Sequence, residues 1–388
     1  MEANPETTLI NIGPFINQCI SACTTKNYSF AAFVLPGKNS IQLIAGPELP
    51  FGEKIETARP GFLFAPFDDQ SPSCFIEAKY YSTISIAPDP SELTQLTDIF
   101  SDLLEHAPDT RQMQDLADLS RTSDDYIPNV RKAIQHIQAG QLKKVVVARN
   151  KIIDLPDTTT PGQLFKRLSA TFDNSFRSLI HSRRYGTWIG ASPEVLVSIE
   201  NNTLFRTVAL AGTQRLPADQ HISEAVWKQK EIEEQALVSR YIISCFKTIR
   251  LREFEEEGPK TIKAGELLHL KTIYSVNLSE VNIPDLGTQM LRLLHPTSAV
   301  GGMPRQEARD FIKHTESFDR QLFAGYIGPV NISNQTNLFV NIRCARLYQG
   351  KAVLFAGAGI TEESDPEKEL AETEIKMNVI ASVLHSEN

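Results

Sequence analysis

From Phe355 to Lys376 the chain reads F-A-G-A-G-I-T-E-E-S-D-P-E-K-E-L-A-E-T-E-I-K. The apolar run Ala352 to Phe355 predicts a buried strand, and Gly357 and Gly359 predict a turn out of it. A helix follows: Ser364 and Glu367 fit a capping box, with Pro366 in the first turn. At about 100° per residue, Leu370, Thr373, Met377, Ile380 and Leu384 form one packing stripe. Glu369, Glu372 and Lys376 fall at its edge within roughly 60° of one another, whereas Glu374 points elsewhere. Carboxylates one helical turn apart suit a hard cation with oxygen ligands, and glycine amides beside a lysine suit a bound carboxylate. A solvated face of ordinary ion pairs has the same pattern, so the stretch alone leaves both readings open.

Working outward, strands come in hairpins. Phe339 to Leu347 and Ala352 to Phe355 pair around Tyr348-Gln349-Gly350. Val195 to Ile199 and Phe205 to Leu210 pair about Asn201-Asn202, and Ser178 to Ile180 pairs with Thr187 to Ile189. Lys144 to Ala148 and Leu267 to Tyr274 read as further strands. Val130, Ile134 and Ile137 have helical spacing, with Gly140 as the stop. Leu164 to Phe172, Ser223 to Glu253 and Met290 to Leu294 also read as helices. Nearer the start, Phe30 to Leu35, Ile41 to Ala45 and Tyr80 to Ile86 predict strands, and Leu93 to Leu104 a helix. The polar run Ala107 to Asp125 reads as a surface connection. Hairpins without regular βαβ alternation predict an α+β fold with mainly antiparallel sheets and flanking helices.

With 388 residues, 41% of them apolar and 22% charged, the chain can bury a large core. The net charge of −8 and the absence of a basic run argue against nucleic acid as a partner. An anionic substrate therefore needs a local cluster of cations. Five scattered cysteines fit neither a disulfide framework nor a zinc pattern and predict reduced thiols. No leader-like or membrane-length apolar stretch is present, so a cytoplasmic protein without membrane contact is expected.

Several short motifs stand in order: Lys144-Val-Val-Val-Ala-Arg149, Gly190-Ala-Ser-Pro-Glu194, Leu210-Ala-Gly-Thr213, Glu231-Ile-Glu-Glu234 and Leu268-His-Leu270. His295-Pro-Thr-Ser-Ala299, Phe318-Asp-Arg320 through Gly325, and Ile342-Arg343-Cys-Ala345 follow, before the stretch quoted first. The series resembles the chorismate-utilising enzyme family of isochorismate, salicylate, anthranilate and aminodeoxychorismate synthases. The likeness covers roughly residues 125 to 385. It implies the anthranilate synthase component I-like chorismate-binding fold, with 1–120 as a divergent N-terminal part and 121–388 as the catalytic region.

Two positions select among the family's activities. Water-using and salicylate-forming members carry a lysine where Lys144 stands, and anthranilate-forming members typically have glutamine. Aminodeoxychorismate synthases typically carry a lysine at the position of Ala211. The resemblance thus implies a water-using enzyme that turns chorismate into isochorismate by adding water at C2 and losing the C4 hydroxyl. Salicylate formation is the nearest rival. An amine-transferring synthase component and a silent chorismate-binding subunit are more distant ones. Phe323, where salicylate synthases typically have tyrosine, weighs against that nearest rival. Menaquinone and siderophore biosynthesis both stay open as destinations.

The same resemblance assigns roles. Lys144 would be the base for water and Glu194 the acid for the departing hydroxyl. Glu234 and Glu372 would hold Mg²⁺, with Glu231 and Glu369 in reach. Gly212, Thr213, His269, Ala299, Arg343, Gly357 and Lys376 would bind substrate. Gln235 departs from the histidine common after the metal-binding glutamate. His269, between two leucines, also reads as a satisfied core histidine. Arg343, read inside an apolar strand, needs an anion, whether substrate or a structural carboxylate. A monomer acting on a small molecule, without an obligatory glutaminase partner, is expected.

Overall fold

Turn chemistry sets the hairpins, and the hairpins set the sheets. The computed structural model describes residues 12–105, 125–215, 221–264 and 267–385. These run through α1 (Ile12–Lys26), β1 (Tyr28–Val34), β2 (Ser40–Pro50), β3 (Gly61–Ala65), β4 (Cys74–Glu77), β5 (Tyr80–Ser85), α2 (Pro90–Ile99) and α3 (Ser101–Leu104). Then come α4 (Tyr126–Gln138), β6 (Lys144–Asp154), α5 (Pro161–Ser169), β7 (Phe176–Ser182), β8 (Gly186–Ser192), β9 (Val195–Glu200) and β10 (Leu204–Arg215). Next are α6 (Gln229–Thr248), β11 (Glu255–Ala264), β12 (Leu267–Asn277), α7 (Leu286–Leu294), β13 (Gly302–Met303) and α8 (Arg305–Thr315). The last elements are β14 (Tyr326–Val330), β15 (Gln335–Val340), β16 (Cys344–Tyr348), β17 (Lys351–Ile360) and α9 (Pro366–His385).

The pairings are antiparallel and make two sheets. The first has the order β5-β2-β1-β7-β8-β16-β17-β6-β13. The second has the order β11-β12-β10-β9-β15-β14-β3-β4, and the far end of β2 crosses over to pair with β4. The α+β reading holds. Asn201 and Asn202 turn β9 into β10 with φ of 51° and 56°, a conformation asparagine tolerates. Gly140, at φ 73°, stops α4 as its spacing predicts.

One core lies between the sheets. Phe33 and Phe176 from the first sheet pack with Phe62 and Phe339 from the second, Phe176 and Phe339 stacking at 4.2 Å. A second core lies under α1, α5 and α9, where Phe15, Phe165 and Met377 are buried on the other face of the first sheet. The cysteines among these residues are buried free thiols.

Four local expectations are corrected. β17 does not turn at Gly357 and Gly359 but pairs with β6 through Ile360↔Val145, because edge partners on β6 continue to the end. The cap of α9 is Asp365, whose Oδ1 accepts from the amides of Glu367 and Lys368 (3.0 and 3.1 Å); Ser364 instead donates to Glu369. The strand read as Phe339 to Leu347 is broken between β15 and β16 at Asn341-Ile342-Arg343, with Arg343 at φ 51°. The long helix begins at Gln229 rather than Ser223, since Ile222–Glu224 is a separate 3₁₀ turn, and it ends before Arg250 at φ 59°. Of the polar run Ala107 to Asp125, residues 107–124 lie outside the described residues.

Candidate active site

Lys144 opens β6 and is only 7% exposed. Gly359, paired with Val146 two residues on, makes room for the side chain: a β-carbon there would lie 2.7 Å from Lys144 Cε and 3.2 Å from Nζ. The glycine is therefore the space in which the lysine side chain lies. Burial holds the Lys144 ammonium below its ordinary proton affinity; Glu234 opposes this, Lys376 adds to it, and Glu372 and Glu194 oppose it. Burial thus favours the neutral amine, the form that can act as a base.

Glu194 stands in the break between β8 and β9 made by Pro193. Ser192 Oγ donates to Val340 O (2.5 Å) and Val340 N donates to Glu194 O (3.0 Å), so the break is clipped to the end of β15. Burial pushes the Glu194 carboxyl up to about 7, against the lowering pull of Lys144, the Thr297 hydroxyl, Arg343 and Lys376. Arg343 reaches the same cavity from the break between β15 and β16. Asn341 anchors that break, its Nδ2 donating to Leu322 O at 2.8 Å. No protein carboxylate within salt-bridge reach of Arg343 is found among the described residues; Glu194 is the anion whose field it feels.

Gly212 sits at a register shift in β10 with φ +65°, where a β-carbon would meet Glu231 Cβ at 3.2 Å. The bulge thus lets the first turn of α6 close on the sheet. His269 on β12 places Nδ1 3.2 Å from Gly212 O, so Nδ1 carries the proton and donates. Burial, then the charges of Arg343 and Lys376, depress His269 to about 4, which keeps the ring neutral at pH 7. The backbone of Thr213 pairs with His269, while its side chain lies outside the described residues.

Carboxylates come from two helices. Glu231 and Glu234 on α6 and Glu369 and Glu372 on α9 line the same cavity. Glu231 Oε2 also accepts from Lys228 N at 3.1 Å, a capping bond to its own helix. Glu369 accepts from Ser364 Oγ at 2.9 Å, and burial, with Glu372 nearby, raises its carboxyl. Burial would raise Glu372 too, but the Lys376 ammonium 2.7 Å away, with Lys230 and Lys144, holds it below the ordinary carboxylate range. Lys376 also donates to Gly357 O at 2.9 Å, and Gly357 lines the cavity from within a strand rather than a turn. Glu374 turns away to Arg149 and Lys151.

Among the described residues no three His, Cys, Asp or Glu side chains converge tightly enough to cage a metal ion. Mg²⁺ does not require such a cage. It keeps several waters and is held by one or two carboxylates plus substrate oxygens. Glu231 and Glu234 from α6 and Glu369 and Glu372 from α9 bring four carboxylates, hard oxygen donors, to one cavity wall. The donor set fits that ion.

The cavity, about 210 Å³, is lined by every expected site residue whose side chain is described. Lys230 also lines it and lay outside the expected set, although W-K-Q-K-E-I-E-E places it beside Glu231. Phe323 is buried in the wall, stacked on Phe355 at 5.5 Å. Gln235 does not reach the cavity lining; its amide ties α6 to β12 through Thr272 Oγ1 at 2.8 Å. No helix among the described residues is long and apolar enough to cross a membrane.

A family profile described as chorismate binding enzyme matches residues 78–385. The isochorismate synthase DhbC of Bacillus subtilis is 30% identical over 268 residues, 66% of this chain and 67% of the relative. A vibriobactin-specific isochorismate synthase of Vibrio cholerae is 29% identical over 328 residues, 82% of this chain and 78% of the relative. Among solved structures, MenF, the menaquinone-specific isochorismate synthase from Escherichia coli, superposes with a TM-score of 0.73 over 95% of this chain and 91% of its own, at 20% identity. That last likeness speaks to the fold.

Proposed function

This chain belongs to the chorismate binding enzyme family, and on that premise we propose that it is an isochorismate synthase. The observation that carries the reading is the pairing of Lys144, depressed by burial, with Glu194, raised to about 7, in one cavity with Arg343 and Lys376. Burial disfavours the charged form of each, which favours a neutral base and a protonated acid in one site. Neutral Lys144 takes a proton from water as the water oxygen bonds to C2 of chorismate. Both ring double bonds shift, C1=C2 to C1=C6 and C5=C6 to C4=C5, the C4–oxygen bond breaks, and protonated Glu194 gives its proton to the departing hydroxyl, which leaves as water. The lysine ends protonated and the glutamate ionised, and exchange with solvent resets both.

Arg343 and Lys376 supply the cations that a dicarboxylate needs on a chain of net charge −8. Mg²⁺ held by Glu234 and Glu372, with Glu231 and Glu369 in reach, would supply a Lewis-acid clamp on the ring carboxylate. Phe323 offers no hydroxyl to hold the enolpyruvyl group for elimination, which disfavours salicylate formation. Nothing in the reaction requires ammonia, so a glutaminase subunit has no task.

Incubation with chorismate and Mg²⁺, followed by chromatography, tests the reading. The expected mixture is chorismate and isochorismate near equilibrium, and supplied isochorismate returns chorismate. Lys144→Ala lowers turnover by roughly 10²–10⁴-fold with the fold kept. Rapid stoichiometric salicylate and pyruvate would move the assignment to a salicylate synthase, and ammonia-dependent product to an amine-transferring one.

A further inference from the structure

Ser364 is not the cap of α9, and its hydroxyl works elsewhere. It lies in the short link between β17 and α9 and is 9% exposed. Two hydrogen bonds close that link on itself. Ser364 N donates to Thr361 O at 3.2 Å, and Thr361 N donates to Ser364 Oγ at 3.1 Å. With Oγ accepting from an amide, the hydroxyl proton is left for another acceptor. It goes to Glu369 Oε1 at 2.9 Å, a buried contact. Asp365 caps the helix with its own carboxylate, so the free amides of α9 have no need of Ser364.

Glu369 is only 5% exposed, yet it lines the cavity beside Glu372 on its own helix and Glu231 and Glu234 on α6. Ser364 makes the one hydrogen bond to the Glu369 carboxylate among the described residues. One oxygen is thus tied to the wall, and Oε2 is left without a protein partner there. A glutamate has several rotatable bonds, and a single firm anchor removes most of that freedom before any ligand arrives. The anchor itself starts beside the catalytic base. Ile360 ends β17 paired with Val145, the residue after Lys144, and Thr361 follows directly. The Glu369 carboxylate is therefore placed relative to the strand that carries Lys144 as well as by its own helix.

We propose that Ser364 is a positioning residue for the cavity's cation: its O–H fixes one oxygen of Glu369 so that the other is held out to Mg²⁺ and its waters beside Glu234 and Glu372. The use of the ion rests on the isochorismate synthase reading, whereas the Ser364–Glu369 contact rests on geometry alone. Ser364 touches neither ion nor substrate, and no proton changes hands. Mg²⁺ keeps several waters, so carboxylates that accept from those waters, and the groups that orient them, set its affinity. A serine that only stapled the loop would act through Thr361 and leave Mg²⁺ binding untouched.

Ser364→Ala removes the hydroxyl, Ser364→Thr keeps it, and Glu369→Gln keeps the side-chain shape without the charge. Mg²⁺ binding to the full chain, without chorismate, is measured by calorimetric titration for each and for Ser364→Ala combined with Glu369→Gln. The expected affinity is about tenfold lower in Ser364→Ala, near wild type in Ser364→Thr, and no lower in the double variant than in Glu369→Gln alone. Turnover should follow the ion. In Ser364→Ala the Mg²⁺ concentration for half-maximal rate rises about tenfold, and kcat at saturating Mg²⁺ returns to near wild type.

Wild-type Mg²⁺ affinity in Ser364→Ala overturns the proposal, even if the unfolding midpoint falls, because the serine is then a loop staple. So does a loss that Ser364→Thr shares in full. A further loss in the double variant overturns it as well, since Ser364 would then act otherwise than through Glu369. So does a wild-type chain that binds no Mg²⁺. If the coupling to Glu369 is found but chorismate is not converted, the functional reading fails and the role of Ser364 stands. If chorismate is converted while Ser364→Ala binds Mg²⁺ normally, the reverse holds.

Discussion

Glu194 shows what burial does to one carboxyl. With its proton affinity raised from 4.5 to about 7, the folded protein holds a proton that the unfolded chain releases. Below pH 4.5 both states are protonated and the residue is neutral toward stability. Between there and about pH 7 the unfolded state ionises first, so stability falls as pH rises, and the whole penalty is present above pH 7. Glu194→Gln removes the titration. The expected outcome is that the variant gains stability relative to wild type on going from pH 5 to pH 8, on the order of 2–3 kcal/mol, read by urea unfolding at both pH values. An unchanged difference would show that Glu194 is not buried as described. The same burial that stabilises the protonated acid for catalysis is thus a stability liability above neutrality, which is the usual price of a functional site.

At the scale of the element, α9 divides its charged residues by face. Glu369, Glu372 and Lys376 enter the cavity. Glu374 pairs with Arg149 and Lys151 on β6, and Arg149 Nε also donates to Thr373 Oγ1 at 2.7 Å. One face serves the site and the other docks the helix. Glu372→Gln should therefore weaken Mg²⁺ binding and the Mg²⁺ dependence of turnover severalfold or more. Glu374→Gln should leave both near wild type and lower the unfolding midpoint, because Arg149, 8% exposed, loses its partner. Calorimetric titration with Mg²⁺ alongside activity separates the two, and equal Mg²⁺ effects would defeat the assignment of faces.

For the whole molecule, Arg320 is the joint between sheet, loop and site. It forms a buried two-pronged pair with Glu316, and its other hydrogen bonds go to Val146 O and Val300 O (2.7 and 2.8 Å). Glu316 Oε1 in turn accepts from Ala148 N at 2.8 Å. The β6 strand that presents Lys144 and the loop that brings Ala299 and Val300 to the cavity are therefore tied together through one ion pair. Arg320→Met leaves Glu316 buried without its cation, and about 3–5 kcal/mol of stability should be lost, as read by urea denaturation. Glu316→Gln combined with Arg320→Met should recover much of it, since no lone charge then remains inside. If the single variant unfolds like wild type, the pair is not holding the site.

Period and turn residues were enough to read the hairpins, the helices α4, α5 and α7, and the α+β class, because these depend on neighbours in the chain. The stripe of α9 was legible for the same reason: Thr373, Met377, Ile380 and Leu384 are buried where 3.6-residue spacing puts them. The motif series named the cavity residues, since each motif carries its chemistry in residue type. What the chain could not announce is what depends on distant partners. Gly357 and Gly359 read locally as a turn, yet they are strand residues, because β6 lies alongside and Lys144 needs the space above Gly359. Arg343 read as strand interior, yet the sheets part there and Asn341 anchors the gap to the Leu322 carbonyl. Lys230 lies in no residue pattern that set it apart from its neighbours. It belongs to the cavity because packing two sheets and two helices together brings residues more than a hundred positions apart within reach of one another, where burial and shared charge then set what each can do.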